Sequence, residues 1–212
     1  LVLGMGIERL LLAMPETPAA PPPDAFSVAL RPEHRTAALL LLFTGGLHAA
    51  GSLDPALPDY RPEQVVRGGL TSVGDDALGR LMNAWLEAFR KHQPAVTRGP
   101  LWSHPNAAAA FPALMFEQVD VAPLGRAPWP TELAPYGHQF KGDMMKEPFM
   151  VQVATGSHGE RLSLAANRRP GAPLPQRTKE FLAFVLSREG QQLVVAQPGV
   201  QALSAADAAR ER

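Results

Sequence analysis

The sequence predicts an α/β protein in which helices flank both faces of a mostly parallel sheet. From residue 67 to the C-terminus, short apolar runs suited to strands alternate with longer segments whose apolar residues recur at helical spacing. This alternation is typical of parallel strands joined by crossover helices. Because 46% of the residues are apolar, a lobe of this length can also bury a sizeable core.

The first half of this region begins with a predicted strand at residues 68–73 and the clearest helix of the chain at residues 75–92. Asp75 or Asp76 can cap that helix, and Pro94 ends it. One face of the helix carries the apolar residues Leu78, Leu81, Met82, Trp85, Leu86 and Phe89. The elements predicted after it are a strand at 95–102, a helix at 106–118, a strand at 119–124 and a short helix at 131–140.

The second half is predicted to contain two strands and a final amphipathic helix. The strands span residues 148–155 and 161–167 and are separated by the turn-like residues 156–159. The helix spans residues 176–186 and continues after Gly190. Residues 67–212 are therefore expected to form a single α/β lobe.

Three segments precede this lobe. Residues 1–30 combine a short apolar helix with a proline-rich stretch and read as a tail or remnant. Residues 31–52 have a basic start, an apolar run too short to span a bilayer and small residues at the end, which is the pattern of a secretory signal peptide. A buried helix is the alternative. Residues 53–66 read as a proline-containing connector, and the signal-like pattern predicts a periplasmic or secreted protein.

Composition excludes several classes of function. The 20 Lys and Arg residues balance the 20 Asp and Glu residues, which argues against a nucleic-acid partner. The absence of cysteine excludes disulfides, thiolate metal sites and thiol nucleophiles. The six histidines form no metal-binding motif, and no catalytic or cofactor-binding motif occurs. The sequence therefore predicts no catalytic residues, no metal and no cofactor.

Three stretches carry a resemblance to a known family. They are GDDAL followed by LMNAWLEAFRK within residues 74–91, VDVAPLGR at 119–126 and FLAFVLSREGQQ at 181–192. In this order they resemble the periplasmic phosphate-binding proteins of ABC transporters. That resemblance implies a non-enzymatic, periplasmic-binding-protein-like lobe. The family's second lobe is missing, because residues 149–158 and 161–173, which resemble the strands on either side of it, are almost adjacent.

The resemblance also implies an oxyanion site. Phosphate is bound by hydroxyls, by backbone N–H groups at helix starts and by an arginine. The matching candidates here are Ser72, Asp75, Ser103, Asn106 and Arg126. Most of the family's hydroxyls are replaced in this chain, and Asp75 is equally explained as a helix cap. The expected ligand is therefore phosphate or a similar oxyanion, bound weakly at a degenerate site.

Residues 1–30 carry a separate resemblance. GMGIERLLL at residues 4–12, a proline-rich hinge and DAFSVAL at 24–30 resemble motif 3 of histidyl-tRNA synthetase, a class II aminoacyl-tRNA synthetase. Arg9 matches the arginine that contacts ATP in that family, but the other motifs are missing. Three hypotheses stay open. The chain is an oxyanion-binding module, a domain that docks to a membrane transport or envelope protein, or a synthetase fragment.

Overall fold

Strands and helices alternate through residues 52–212, which are the residues that the computed structural model describes. The strands are β1 Gly68–Val73, β2 Val96–Ser103, β3 Ala122–Leu124, β4 Phe149–Gly156, β5 Arg161–Ala166 and β6 Val200–Gln201. The helices are α1 Gly79–His92, α2 Ala110–Met115, α3 Pro130–Gln139, α4 Gln176–Val185, α5 Arg188–Val195 and α6 Ala205–Glu211. Short 3₁₀ turns lie at Asp76–Leu78, Ala107–Ala109 and Lys141–Asp143. The predicted mixed α/β class is confirmed.

The pairing of the strands differs from the predicted mostly parallel sheet. β1 and β2 form a parallel pair, and a single parallel bridge from Ser72 to Val121 links β1 to the residue before β3. The remaining strands form a sheet in the order β3-β5-β4-β6 in which every pair is antiparallel. Residues 52–212 thus contain three antiparallel ladders and one parallel ladder, and the predicted mostly parallel sheet is not confirmed.

The position of β5 explains this difference. The turn that joins β4 to β5 is too short for a crossover, so β5 must run back along β4. β5 then lies between β4 and β3 and is antiparallel to both. Consequently β1, β2, β3 and β4 point in the same direction, although β5 separates β3 from β4.

Apolar residues collect in two clusters. The larger cluster contains Leu78 and the α1 residues up to Phe89 that the sequence places on one face, together with residues of α4 and α5. The smaller cluster lies under α2 and α3 and includes Phe111 and Tyr136. Because successive side chains of a strand point to opposite faces, Leu164 joins the larger cluster and Ala165 the smaller one. Helices therefore cover both faces, as predicted.

The segment at residues 53–66, predicted as a connector, contains no helix or strand but packs into the larger cluster. Leu57, Tyr60 and Val66 are buried. The Tyr60 hydroxyl donates to the buried carboxylate of Glu180 at 2.7 Å, and burial raises the pKa of Tyr60. The buried amide of Gln93 accepts from the backbone N–H of Val66. This segment thus contributes to the core of the lobe.

Several element ends differ from the sequence prediction. The predicted helix at 106–118 ends at Met115, and a short C-terminal helix, α6, was not predicted. Ser187 caps α5 by accepting from the N–H of Gly190, so α4 and α5 are separate helices. No helix between residues 52 and 212 is long and apolar enough to cross a membrane. The signal-like segment and the synthetase-like segment lie outside the described residues, except for Ser52.

Candidate functional site

The carboxyl ends of β1, β2 and β3 meet at one edge of the molecule. Gly74, after β1, donates its N–H to the carbonyl of Ser103 at the end of β2 (3.2 Å). Asn106 donates to the carbonyl of Gly74 (3.1 Å), and Asp75 donates to the carbonyl of Pro123 in β3 (2.8 Å). In parallel sheets this edge is where ligands commonly bind. The structure therefore brings together the three loops that carry the candidate residues.

Two glycines permit this close approach of the loops. A Cβ atom on Gly74 would lie 2.3 Å from the carbonyl oxygen of Pro123, and one on Gly125 would lie 2.7 Å from Oδ2 of Asp75. Real Cβ atoms do not approach other atoms so closely. Glycine is therefore required wherever the end of β3 touches the turn after β1.

Asp75 uses both carboxylate oxygens within this edge. Oδ1 accepts from the N–H of Ala77 at 3.0 Å, which makes Asp75 the cap of the 3₁₀ turn, and Oδ2 accepts from the N–H of Gly125 at 3.0 Å. Both predicted roles of Asp75 are thus compatible with its position, because the cap lies in the candidate site. The carboxylate occupies two N–H donors that an oxyanion would otherwise use.

Arg126 is held by an internal carboxylate. Its Nη1 and Nη2 donate to Oε2 and Oε1 of Glu132 at 2.8 and 2.6 Å, and its guanidinium lies 3.7 Å from the ring centroid of Trp129. The hydrogen bond from Arg126 is the main reason that the pKa of Glu132 lies below its ordinary value. Arg126 therefore lies just after β3, and its forked face already binds a carboxylate.

Ser72 is fully buried and contacts a histidine rather than the open edge. Its Oγ lies 3.0 Å from Nε2 of His104, whose ring packs edge-on against Trp102. Burial, together with the positive charge of Arg98, lowers the pKa of His104. The sequence analysis missed His104 as a neighbour of the site, although it directly follows Ser103.

The other two candidates lie on the turn after β2. Ser103 is exposed and contributes its carbonyl to the contact with Gly74. Oδ1 of Asn106 accepts from the N–H of Ala109 at 3.2 Å and caps the next 3₁₀ turn. Asp75, Ser103, Asn106 and Arg126 thus cluster at one edge, whereas the Ser72 side chain is buried behind it. Among residues 52–212, no group of His, Asp and Glu has the arrangement of a metal site.

Part of this chain is similar to known phosphate-binding proteins. Over 96 residues, or 45% of the chain, it is 31% identical to the phosphate-binding protein PstS of Pseudomonas aeruginosa strain PAO1, and equally to that of strain UCBPP-PA14. These residues are homologous to part of PstS. The chain covers 29% of the length of these curated relatives. No known family profile matches the chain.

Two solved structures are also similar to the chain. One is a possible phosphate binding protein from Planctomyces limnophilus, with 20% identity and a TM-score of 0.35 over 42% of this chain and 29% of that one. The other is a substrate-binding protein assigned to a phosphate ABC transporter of Clostridium perfringens, solved with phosphate. It has 12% identity and a TM-score of 0.48 over 65% of this chain and 100% of that one.

Proposed function

We propose that the lobe is a non-enzymatic module that binds a small oxyanion, such as phosphate, at the edge formed by the ends of β1, β2 and β3. The observation that carries this proposal is the convergence of Asp75, Ser103, Asn106 and Arg126 at that edge. Identity to part of PstS supports the same ligand class. An arginine fork and backbone N–H groups are the donors that oxyanions prefer.

Two internal carboxylates make this binding weak. Glu132 occupies the fork of Arg126, and Asp75 occupies the N–H groups of Ala77 and Gly125. An incoming dianion must displace a carboxylate from its donors and also lies near two negative charges. Like charges at short range are unfavourable even at a partly exposed site. The proposed site thus has the arrangement of an oxyanion site but a lower affinity than it would have without these two carboxylates.

A binding role suits the serine and histidine of this region better than an enzymatic one. Ser72 and His104 are within hydrogen-bond distance, as a nucleophile and its base would be. Ser72 has no exposed surface, so a substrate cannot reach its hydroxyl. We therefore propose no reaction for this pair.

A docking role is the second candidate. The side chain of Trp129 is 56% exposed immediately beside the guanidinium of Arg126. An exposed aromatic residue next to an internally satisfied arginine favours contact with a protein, and the proposed partner is a membrane transport or envelope protein. Location in the periplasm or outside the cell is likewise proposed, from the signal-like pattern of residues 31–52. The synthetase-fragment hypothesis for residues 1–30 finds no support among the relatives described above.

Calorimetric titration of the 212-residue protein with phosphate and with sulfate tests the proposed binding. We expect weak binding of phosphate that Arg126→Gln abolishes. Arg67→Gln is the matched control, because Arg67 is an exposed arginine just before β1, at the opposite end of the strand from the site. If the folded protein binds neither anion, or if both variants bind equally well, the oxyanion proposal fails. The docking role is then the better candidate.

A further inference from the structure

A cleft of about 810 Å³ lies next to Arg126. It is bounded by the residues after β3, the start of β4 and the loop after β5. Sites for small organic ligands commonly have volumes of about 300–1,000 Å³, far more than a single phosphate ion fills. The charged and polar side chains that line the cleft, together with one aromatic ring, are Arg126, Glu147, Phe149, Arg161, Ser163 and Arg168.

Arg168 presents a fixed positive charge to this cleft. Its guanidinium carbon lies 3.8 Å from the centroid of the Phe149 ring, a cation–π contact that limits where the side chain can point. Arg126 and Arg161 are paired with Glu132 and Glu211, whereas Arg168 forms no ion pair within the part of the chain that the structure describes. Arg168 is therefore the arginine of the cleft that is available to an anion.

Ser163 is an independent indication of a ligand. It is only 5% exposed, it lines the cleft, and its hydroxyl has no hydrogen-bond partner among residues 52–212. The hydroxyl oxygen is not itself fully buried, so its unused hydrogen-bonding capacity is open to a molecule in the cleft. An anion held by Arg168 would supply the missing acceptor.

The rest of the lining indicates the class of that anion. Met150, on the same face of the sheet as Ser163, and three prolines supply apolar surface to the cleft, which inorganic phosphate would not use. Arg161 donates a hydrogen bond from Nη2 to Glu211. Because a guanidinium has five N–H donors, further donors of Arg161 remain for a ligand. Arg168, Arg161 and Ser163 all line the cleft and together carry enough donors for the three terminal oxygens of a phosphate monoester.

We propose that this cleft binds a small organic phosphate monoester. Its phosphate group contacts Arg168, Ser163 and Arg161, and its organic group lies against Met150 and the prolines of the lining. Glu147, the acidic residue in the lining, is exposed and weakens the binding. The proposed contacts with the monoester include neither Asp75 nor the ends of β1 and β2, although Arg126 of the proposed oxyanion site also lines the cleft.

Calorimetric titration of the 212-residue protein with phenyl phosphate, inorganic phosphate and benzoate tests this inference. We expect phenyl phosphate to bind at least tenfold more tightly than either of the other two. Arg168→Gln should raise the Kd for phenyl phosphate by about tenfold or more, because a charge-assisted hydrogen bond is lost. Ser163→Ala should raise it severalfold, and Glu147→Gln should lower it. Arg67→Gln is the matched control and should leave it unchanged.

Thermal unfolding of each variant checks that it is folded. Arg168 is exposed and Ser163→Ala removes one oxygen, so at least one of the two variants retains the fold. The inference is overturned if wild-type protein does not prefer phenyl phosphate, or if both variants bind it as tightly as wild type. Failure of the oxyanion site alone would appear differently, as loss of inorganic phosphate binding with phenyl phosphate binding intact.

Discussion

Gly125 donates its backbone N–H to Oδ2 of Asp75 over 3.0 Å, although fifty residues separate the two along the chain. The other oxygen of the same carboxylate caps the 3₁₀ turn through Ala77. One side chain therefore both starts a helix and joins that helix to the end of β3. The same contact places a negative charge at the proposed oxyanion site, so structural and functional effects of Asp75 can be separated by the choice of substitution.

Asp75→Ser should strengthen phosphate binding and cost less stability than Asp75→Ala. A serine hydroxyl still caps a helix start, and the negative charge is removed. Asp75→Ala also removes the charge but loses both hydrogen bonds, so it should lower the free energy of unfolding by about 1–2 kcal/mol. Calorimetric titration and chemical denaturation of both variants provide the test. Weaker phosphate binding in the serine variant would mean that the carboxylate itself contacts the ligand.

Glu132→Gln should also strengthen phosphate binding, by releasing the fork of Arg126. The amide offers the guanidinium one acceptor oxygen in place of two and carries no charge, so an oxyanion competes more easily. We expect the Kd for phosphate to fall severalfold when measured by calorimetry. Glu87→Gln is the matched control, because it removes the carboxylate of an exposed ion pair between Glu87 and Arg90 on α1. Equal effects of the two substitutions would exclude a specific role for Glu132.

Gly74→Ala should destabilise the lobe. The new Cβ would lie 2.3 Å from the backbone carbonyl of Pro123, which cannot move without shifting β3. A cost of about 1–3 kcal/mol is typical when a close-packed site is overfilled. Chemical denaturation measures it, with Gly142→Ala as the control, because a Cβ on Gly142 meets no atom within 4 Å. A neutral Gly74→Ala variant would show that the loops are farther apart than described.

His104 should make stability fall as the pH is lowered. Its pKa in the folded protein is lowered, mainly by burial, so near and below pH 6.5 the unfolded chain binds more protons than the folded one. The contribution of His104 to the free energy of unfolding is fully present above the pKa of this residue in the unfolded chain. It is lost as the pH falls from that value through the lower pKa in the folded protein. Denaturation between pH 7.5 and 5.5 should show a slope that is reduced in His104→Gln. An unchanged slope would assign the effect to other groups.

Tyr60→Phe should destabilise the lobe if residues 53–66 belong to its core. The substitution removes the hydroxyl donor to Glu180, whose carboxylate is then buried with one partner fewer. The expected loss is about 1–3 kcal/mol in the free energy of unfolding. Arg61→Gln, at an exposed neighbouring position, should have almost no effect in the same denaturation experiment. Similar small effects of both would mean that the segment is only loosely attached.

Local features of the fold could be predicted from residues that lie close together in the sequence. The apolar face of α1 follows from helical spacing, and the role of Asp75 as a cap follows from its place before the helix. The alternation of strands and helices was predicted for the same reason. The candidate residues at the strand ends came from resemblance and were found close together, because strands that run in one direction end at one edge.

The pairing of the strands and the partners of the polar and charged side chains, in contrast, depend on how the whole chain folds. β5 lies between β3 and β4 because a short turn forces it to run back along β4, and helical or strand periodicity does not specify a partner. The carboxylate of Glu132 on Arg126 and the imidazole beside Ser72 depend on loop conformations and on side chains brought together by folding. Contacts of this kind require the folded chain, and they determine how strongly the site can bind an anion.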